Sequence, residues 1–181
     1  MMIMKKYLRK TEQRTPGTLP VYFSLGSNIG NREKNIMDAI LMMDNLFGTI
    51  HSSLSDIIET APVGFRSDNR FLNCVVEYQL KGTGPGDTEK NCLSVLDSCM
   101  NIERSLGRKN SGPLFDSYGT RIYKDRPIDI DILFYGDAVI NNSRLTVPHP
   151  RMSEREFVMK PLSEIAGGFI MSAFPELFES K

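Results

Sequence analysis

The sequence predicts an α/β (α+β) protein of the ferredoxin-like kind: an antiparallel sheet, helices packed on one face, and an addition at the C-terminus. Three observations point to it. Strand-like and helix-like segments follow one another in the order β-α-β-β-α-β, without an internal repeat. The two helix-like segments carry apolar residues every three or four positions, which gives each a single buried face. The segment between them reads as a hairpin, and GSNIG lacks the GxGxxG spacing, so a doubly wound dinucleotide-binding unit is disfavoured.

Each element has a local reason. VYFSLGSN is a short buried strand that ends near Gly26. Asn31 is the expected cap of a helix over 32–46, on which Ile36, Ile40, Met43 and Phe47 share a face and Gly48 is the stop. A hydroxyl-rich alternation over 49–59 predicts the next strand, APVGFRSDN a loop, FLNCVVEYQL a strand, and KGTGPGD a turn. The second helix is expected over 88–106, with Leu93, Leu96 and Met100 on one face and Cys92 and Cys99 beside it. A polar segment over 107–125 is long for a connection in a compact domain and suits a lid or binding loop. The last strand lies in RPIDIDILFYGD, followed by a short strand and a proline turn in VINNSRLTVPHPRM. SEREFVMKPLSEIAG predicts helical stretches interrupted at Pro161. Residues 1–20 read as an N-terminal extension and 21–181 as the domain.

Composition narrows the function classes. The 22 Lys and Arg residues balance 22 Asp and Glu, so no global charge recommends a nucleic-acid or membrane partner. No apolar run is long enough for a membrane span, and the start MMIMKKYLRK has no continuous signal-peptide core, which points to the cytoplasm. The three cysteines, Cys74, Cys92 and Cys99, are not in a Cys-x-x-Cys pair and are expected as buried free thiols.

The chemistry concentrates at RPIDIDILFYGD. In a strand, Ile128, Ile130 and Ile132 enter one face while Asp129 and Asp131 point to the other, with Cα atoms about 6.6 Å apart. Two such carboxylates repel each other and lose hydration unless a cation joins them. Magnesium suits that pattern, through a few carboxylates plus phosphate oxygens. A solvent-facing strand guarded by charge against edge pairing is the competing account. Arg108, Lys109, Arg121, Lys124 and Arg126 flank the long loop and the strand, and guanidinium groups hold phosphate oxygens in pairs of hydrogen bonds. GSNIG, at a strand-to-helix junction, can present amides, with Gly26 permitting close approach and Asn28 both donating and accepting.

Five motifs in order, FSLGSNIGNRE, ETAPVGF, RFLNCVV, RPIDIDILFYGD and RLTVPHPRMSEREFV, resemble those of the 6-hydroxymethyl-7,8-dihydropterin pyrophosphokinases over roughly 21–168. That resemblance implies a ferredoxin-like fold and transfer of the terminal pyrophosphoryl unit of ATP to a pterin alcohol, with release of AMP, in folate biosynthesis. It implies two Mg2+ ions on Asp129 and Asp131, and small-molecule substrates only; it names no protein partner. It implies a pterin pocket of Thr60, Pro62, Val63, Phe71, Asn73 and Phe157, with Phe71 where many relatives carry tyrosine. Glu103, Arg108, Arg126, Arg144, His149 and Arg155 match positions near the nucleotide, and Arg108 and Arg126 join the aspartates as expected catalytic groups. The chain departs from the family before Arg126: the approach is RIYKDR, after an enlarged KNSGPLFDSYGT, in place of a basic-aromatic-glycine-proline run. Tyr123 then stands for a loop tryptophan, and Arg121 or Lys124 for a basic group. A kinase or nucleotidyl transferase with another small acceptor is the nearest alternative; an RNA-binding module would need a basic track and exposed sheet aromatics.

Overall fold

The computed structural model describes residues 16–82, 84, 86–109, 114–115, 117 and 121–177. Strand β1 (Thr18–Ser27) runs into helix α1 (Arg32–Phe47) through a turn in which the Asn31 side chain accepts from the Lys34 amide at 3.1 Å. Gly48, at φ 64°, ends the helix in the left-handed conformation that glycine adopts without a Cβ clash. Then come β2 (Ser53–Leu54), β3 (Ile58–Thr60), β4 (Phe71–Lys81) and α2 (Thr88–Ser105). A small hairpin, β5 (Leu114–Phe115) with β6 (Arg121–Ile122), precedes β7 (Asp129–Tyr135). The pair β8 (Ile140–Asn141) and β9 (Thr146–Val147) leads to α3 (Glu156–Ile165) and α4 (Gly168–Ala173).

In the main sheet β1 lies between β4 and β7, antiparallel to both, and β4 takes β2 and β3 on its far side. This is the predicted antiparallel, ferredoxin-like arrangement, reached by two right-sized crossovers through α1 and α2. The sheet begins earlier than VYF suggests, since Thr18, Leu19 and Pro20 already pair with Lys81, Leu80 and Gln79. The strand expected over 49–59 is split in two. Ser55, between the halves, exchanges bonds with Val75 and turns its hydroxyl to that residue's amide, and the Asp56 amide is taken by Glu164.

Strand alternation divides the core. Val21, Phe23 and Leu25, with Cys74, Val76, Tyr78, Ile130 and Ile132, meet α1 and α2 on one face. The three thiols are free and buried there, as expected. The buried stripe of α2 is Cys92, Cys99, Ile102 and Glu103; Leu96 and Met100 instead face a cleft. Helices α1 and α2 share that face, as expected. Tyr22, Val75, Leu133 and Phe134 point the other way, and the C-terminal addition covers them with Met152, Val158, Leu162, Ile170 and Phe174. A register shift beside Leu133, where Phe23 pairs with Ile132 but Tyr22 with Phe134, turns two adjacent β7 residues into this second core. Helix α3 runs through Pro161 rather than breaking there. Proline forfeits one helical amide, but the residue is buried, and each large side chain covered beside it contributes roughly 1.5–3 kcal/mol. Among the described residues no helix is long and apolar enough to cross a membrane.

Candidate active site

The end of β1 and the starts of β4 and β7 coincide. Gly26 is paired with Asn73 on one side and Asp129 on the other, and Ser24 with Asp131. A Cβ on Gly26 would stand 3.1 Å from Asn73 Oδ1 and 3.6 Å from the Phe71 ring, so the absence of a side chain keeps the middle of this row open. The row forms the floor of a cleft of about 430 Å³.

On the β4 side, Phe71 and Asn73 line the cleft with Thr60, Val63 and Phe157. Asn73 Nδ2 donates to Thr60 Oγ1 at 2.8 Å, leaving its carbonyl oxygen toward the cleft end of the row. Five of the six residues matched to the pterin pocket are therefore together; Pro62 is in the same loop but not in the wall. Phe65 completes this half: it meets Phe71 edge-on at 6.3 Å and stacks on Tyr123 at 6.2 Å.

On the β7 side lies a charged cluster. Asp129 Oδ1 accepts from Arg108 at 2.6 Å, and Oδ2 from Arg126 at 2.9 Å. Burial would raise its carboxyl, but Arg126 and Arg108 outweigh burial and hold it below the usual range. Asp131 is different. Its side chain is 40% exposed to the cleft, and it faces the Arg155 guanidinium at 3.7 Å and the His149 ring at 4.0 Å. Burial of its surroundings and the neighbouring Asp129 charge push it up to about 6. The two aspartates project together, as alternation required, and are in unlike environments.

Glu103 closes the cluster from below. It is almost fully buried, and its Oε1 accepts both from Arg108 and from the Ile130 amide at 2.8 Å, a backbone group on the sheet's edge strand. Burial pushes its carboxyl from 4.5 up to about 7, with Arg108 opposing. The folded protein thus keeps a proton on Glu103 that the unfolded chain has lost, and stability drains away as pH rises from about 4.5 to about 7. Glu103→Gln, whose carbonyl can accept the same two bonds, should match the parent at pH 4.5 and exceed it at pH 8 by on the order of 2 kcal/mol in metal-free thermal unfolding. Equal melting temperatures at pH 8 would refute it.

The remaining nucleotide-side assignments reach the cleft from the C-terminal third. His149 is placed by its amide, which donates to Leu133 O at 3.0 Å. Arg155 lies over Phe157, 5.6 Å from the ring centre. Arg144 reaches the rim paired with Asp97. Of the three loop residues, Tyr123 lines the cleft and its hydroxyl accepts from Arg151 at 2.9 Å. Lys124 is exposed and away from the wall, and the Arg121 side chain is outside the described residues. Sequence reasoning passed over Phe65 and Arg151, and read Leu96 and Met100 as a helix face without giving them to the site. Phe65 stood in plain view at the end of ETAPVGF; Arg151 carries no local signal.

The donor set suits an anion and a hard cation. Arg126 Nε is buried without a hydrogen-bond partner among the described residues, while its guanidinium lies 5.7 Å from the Phe71 ring centre and holds Asp129. A phosphate oxygen would satisfy it. The raised Asp131 carboxyl marks uncompensated negative charge, which a cation would relieve. No group of three or more His, Cys, Asp or Glu side chains is arranged for a metal among the described residues, so an ion held by the aspartates would draw its other ligands from water and substrate.

Comparison with known proteins places the chain among relatives. Residues 22–167 match the family model described as 7,8-dihydro-6-hydroxymethylpterin-pyrophosphokinase. The chain is 41% identical over 152 residues to the mitochondrial folate synthesis bifunctional protein of Arabidopsis thaliana, covering 83% of this chain and 24% of that protein. It is 38% identical over 149 residues to the 2-amino-4-hydroxy-6-hydroxymethyldihydropteridine pyrophosphokinase of Porphyromonas gingivalis, covering 81% of this chain and 90% of the relative. For the protein of the same description from Bacillus subtilis, identity is 36% over 147 residues, with 80% and 76% covered. The chain thus spans about a quarter of the plant relative's length and most of the two bacterial ones.

Proposed function

The chain belongs to the 7,8-dihydro-6-hydroxymethylpterin-pyrophosphokinase family, and from that membership we propose that it transfers the terminal pyrophosphoryl group of ATP to the hydroxymethyl group of 6-hydroxymethyl-7,8-dihydropterin and releases AMP. One observation supports the reading beyond the family: an aromatic and amide slot, Phe71 with Asn73, lies across Gly26 from a carboxylate and guanidinium cluster whose buried Arg126 Nε has no hydrogen-bond partner among the described residues.

The flat bicyclic ring enters between Phe71 and Phe157, where offset contact with aromatic faces is favourable. Asn73 and Thr60 read its polar edge. The triphosphate lies along Arg108, Arg126, Arg155 and His149, with Arg144 toward the adenosine end. Two Mg2+ ions held by Asp129 and Asp131 would neutralise phosphate charge and favour attack at phosphorus. The acceptor oxygen forms a bond to the β-phosphorus, the bond from that phosphorus to the bridging oxygen of AMP breaks, and the hydroxyl proton passes to solvent. Asp129, with an arginine on each oxygen and a lowered carboxyl pKa, is a poor base, so its part is orientation. Most of the rate then comes from alignment and fixed charge.

The direct test is incubation with Mg-ATP and 6-hydroxymethyl-7,8-dihydropterin, followed by product analysis. AMP and the pterin pyrophosphate should form in equal amounts. ADP would identify phosphoryl transfer, and free pyrophosphate nucleotidyl transfer; either result removes the proposal.

A further inference from the structure

Asp125 does not touch the cleft, yet it joins the loops that build both of its halves. Its Oδ1 accepts from Asn28 Nδ2 at 2.6 Å, and its Oδ2 from Asn69 Nδ2 at 2.6 Å. Asn28, only 2% exposed, uses its other atoms on the next residue: its Oδ1 accepts from the Arg126 amide at 2.8 Å, and its own amide donates to Arg126 O at 3.2 Å. Its Nδ2 also reaches Asn69 O at 3.4 Å. Three segments therefore meet at one carboxylate: the turn after β1, the loop over 61–70, and the lead into β7.

Two of these segments carry part of the cleft. The 61–70 loop supplies Val63, Gly64 and Phe65, and the lead into β7 supplies Tyr123 and Arg126. Phe65 stacks on Tyr123, and Arg126 sits 6.0 Å from the Tyr123 ring centre, so the loops also touch above the carboxylate. The acidic side chain stands within RIYKDR, one residue before Arg126.

We propose that Asp125 is a positioning residue, a hydrogen-bonded latch that fixes Arg126 on the phosphate side in register with the 61–70 loop on the ring side. This rests on the pyrophosphokinase reading for its kinetic consequence but not for its structural one. Partial desolvation favours the neutral acid, yet the bonds from Ser67, Asn69 and Asn28 outweigh it and hold Asp125 below the ordinary carboxylate range, in keeping with a carboxylate used wholly as acceptor.

The test uses Asp125→Ala, Asp125→Asn, Asn69→Ala and the double variant of Asp125→Ala with Asn69→Ala in the full chain. Alanine removes the carboxylate that accepts from Asn28, Asn69 and Ser67, so kcat/KM should fall roughly tenfold to a hundredfold. Asp125→Asn keeps a carbonyl for Asn28, and its amide can donate to a flipped Asn69, so it should stay within about threefold of the parent. Asn69→Ala should reduce turnover in the parent and do nothing further in the Asp125→Ala background. Hydrogen exchange of Asp125→Ala should rise over 61–70 and 121–128 and remain unchanged in β1 and β4. Parental turnover in Asp125→Ala, an Asn variant as impaired as Ala, or additive effects of the two alanines would each overturn the latch. If the parent makes no AMP, the functional reading fails, and the exchange measurement still decides: unchanged uptake over 61–70 removes the latch, and a rise supports it.

Discussion

Asp131→Ala should lower AMP formation on the order of a thousandfold, the scale of deleting a fixed electrostatic contact at a reacting phosphate, without unfolding the protein. The stability arm separates it from its neighbour. Asp131 is held next to the Asp129 charge with its carboxyl pushed up to about 6, and no group sits within ordinary hydrogen-bond range in the contacts it makes with His149 and Arg155. Removing it relieves repulsion, so the variant should melt no lower than the parent at pH 8. Asp129→Ala should show the same loss of turnover but also melt lower, because Arg108 and Arg126, both nearly buried, lose a shared counter-charge. The cost is about 1–3 kcal/mol, the usual penalty for partly buried polar groups left unpaired. Product assays and thermal unfolding on both variants decide it. Folded variants with parental turnover would dispose of the metal and phosphate role, and identical melting shifts would dispose of the asymmetry.

Arg126→Ala is the second large effect. The residue holds Asp129, faces Phe71, and keeps a buried Nε without a partner among the described residues. Its loss removes a phosphate contact and frees one oxygen of Asp129, for an expected fall of a hundredfold to a thousandfold in kcat/KM for ATP. Lysine should recover no more than about tenfold of this, because an ammonium restores charge but not the planar fork or the contact with the ring. Steady-state rates at varied ATP test the claim, and a lysine variant near the parent would refute the geometric part of it.

What the sequence revealed depended on range. The alternation IDIDI placed Asp129 and Asp131 on one face because strand geometry is local, and the order of segments was enough for the sheet. Glu103 was found only through resemblance, since no spacing indicates that a helical carboxylate will meet the edge amide of Ile130, 27 residues on. The burial of Cys92 and Cys99 ahead of Leu96 and Met100 follows from a cleft that claims the larger side chains, a tertiary fact invisible to periodicity. Pro161 misled for the opposite reason: a local rule was sound, but packing against the sheet outweighed it. The Asp125 junction joins positions 28, 69 and 125, and only the folded chain brings them together.

The covering of the second sheet face by the C-terminal third has a consequence for synthesis. Arg155 and Phe157 stand at the start of the helix that seals that face, whereas Gly26, Phe71, Asn73 and both aspartates precede it. A ribosome-bound chain that has emerged only to residue 150 already holds the carboxylates and most of the ring slot, but lacks one ring wall and two guanidinium groups, those of Arg151 and Arg155, and Tyr22, Val75 and Phe134 are still uncovered. Competence and protection from aggregation therefore arrive together, with the segment that follows residue 150.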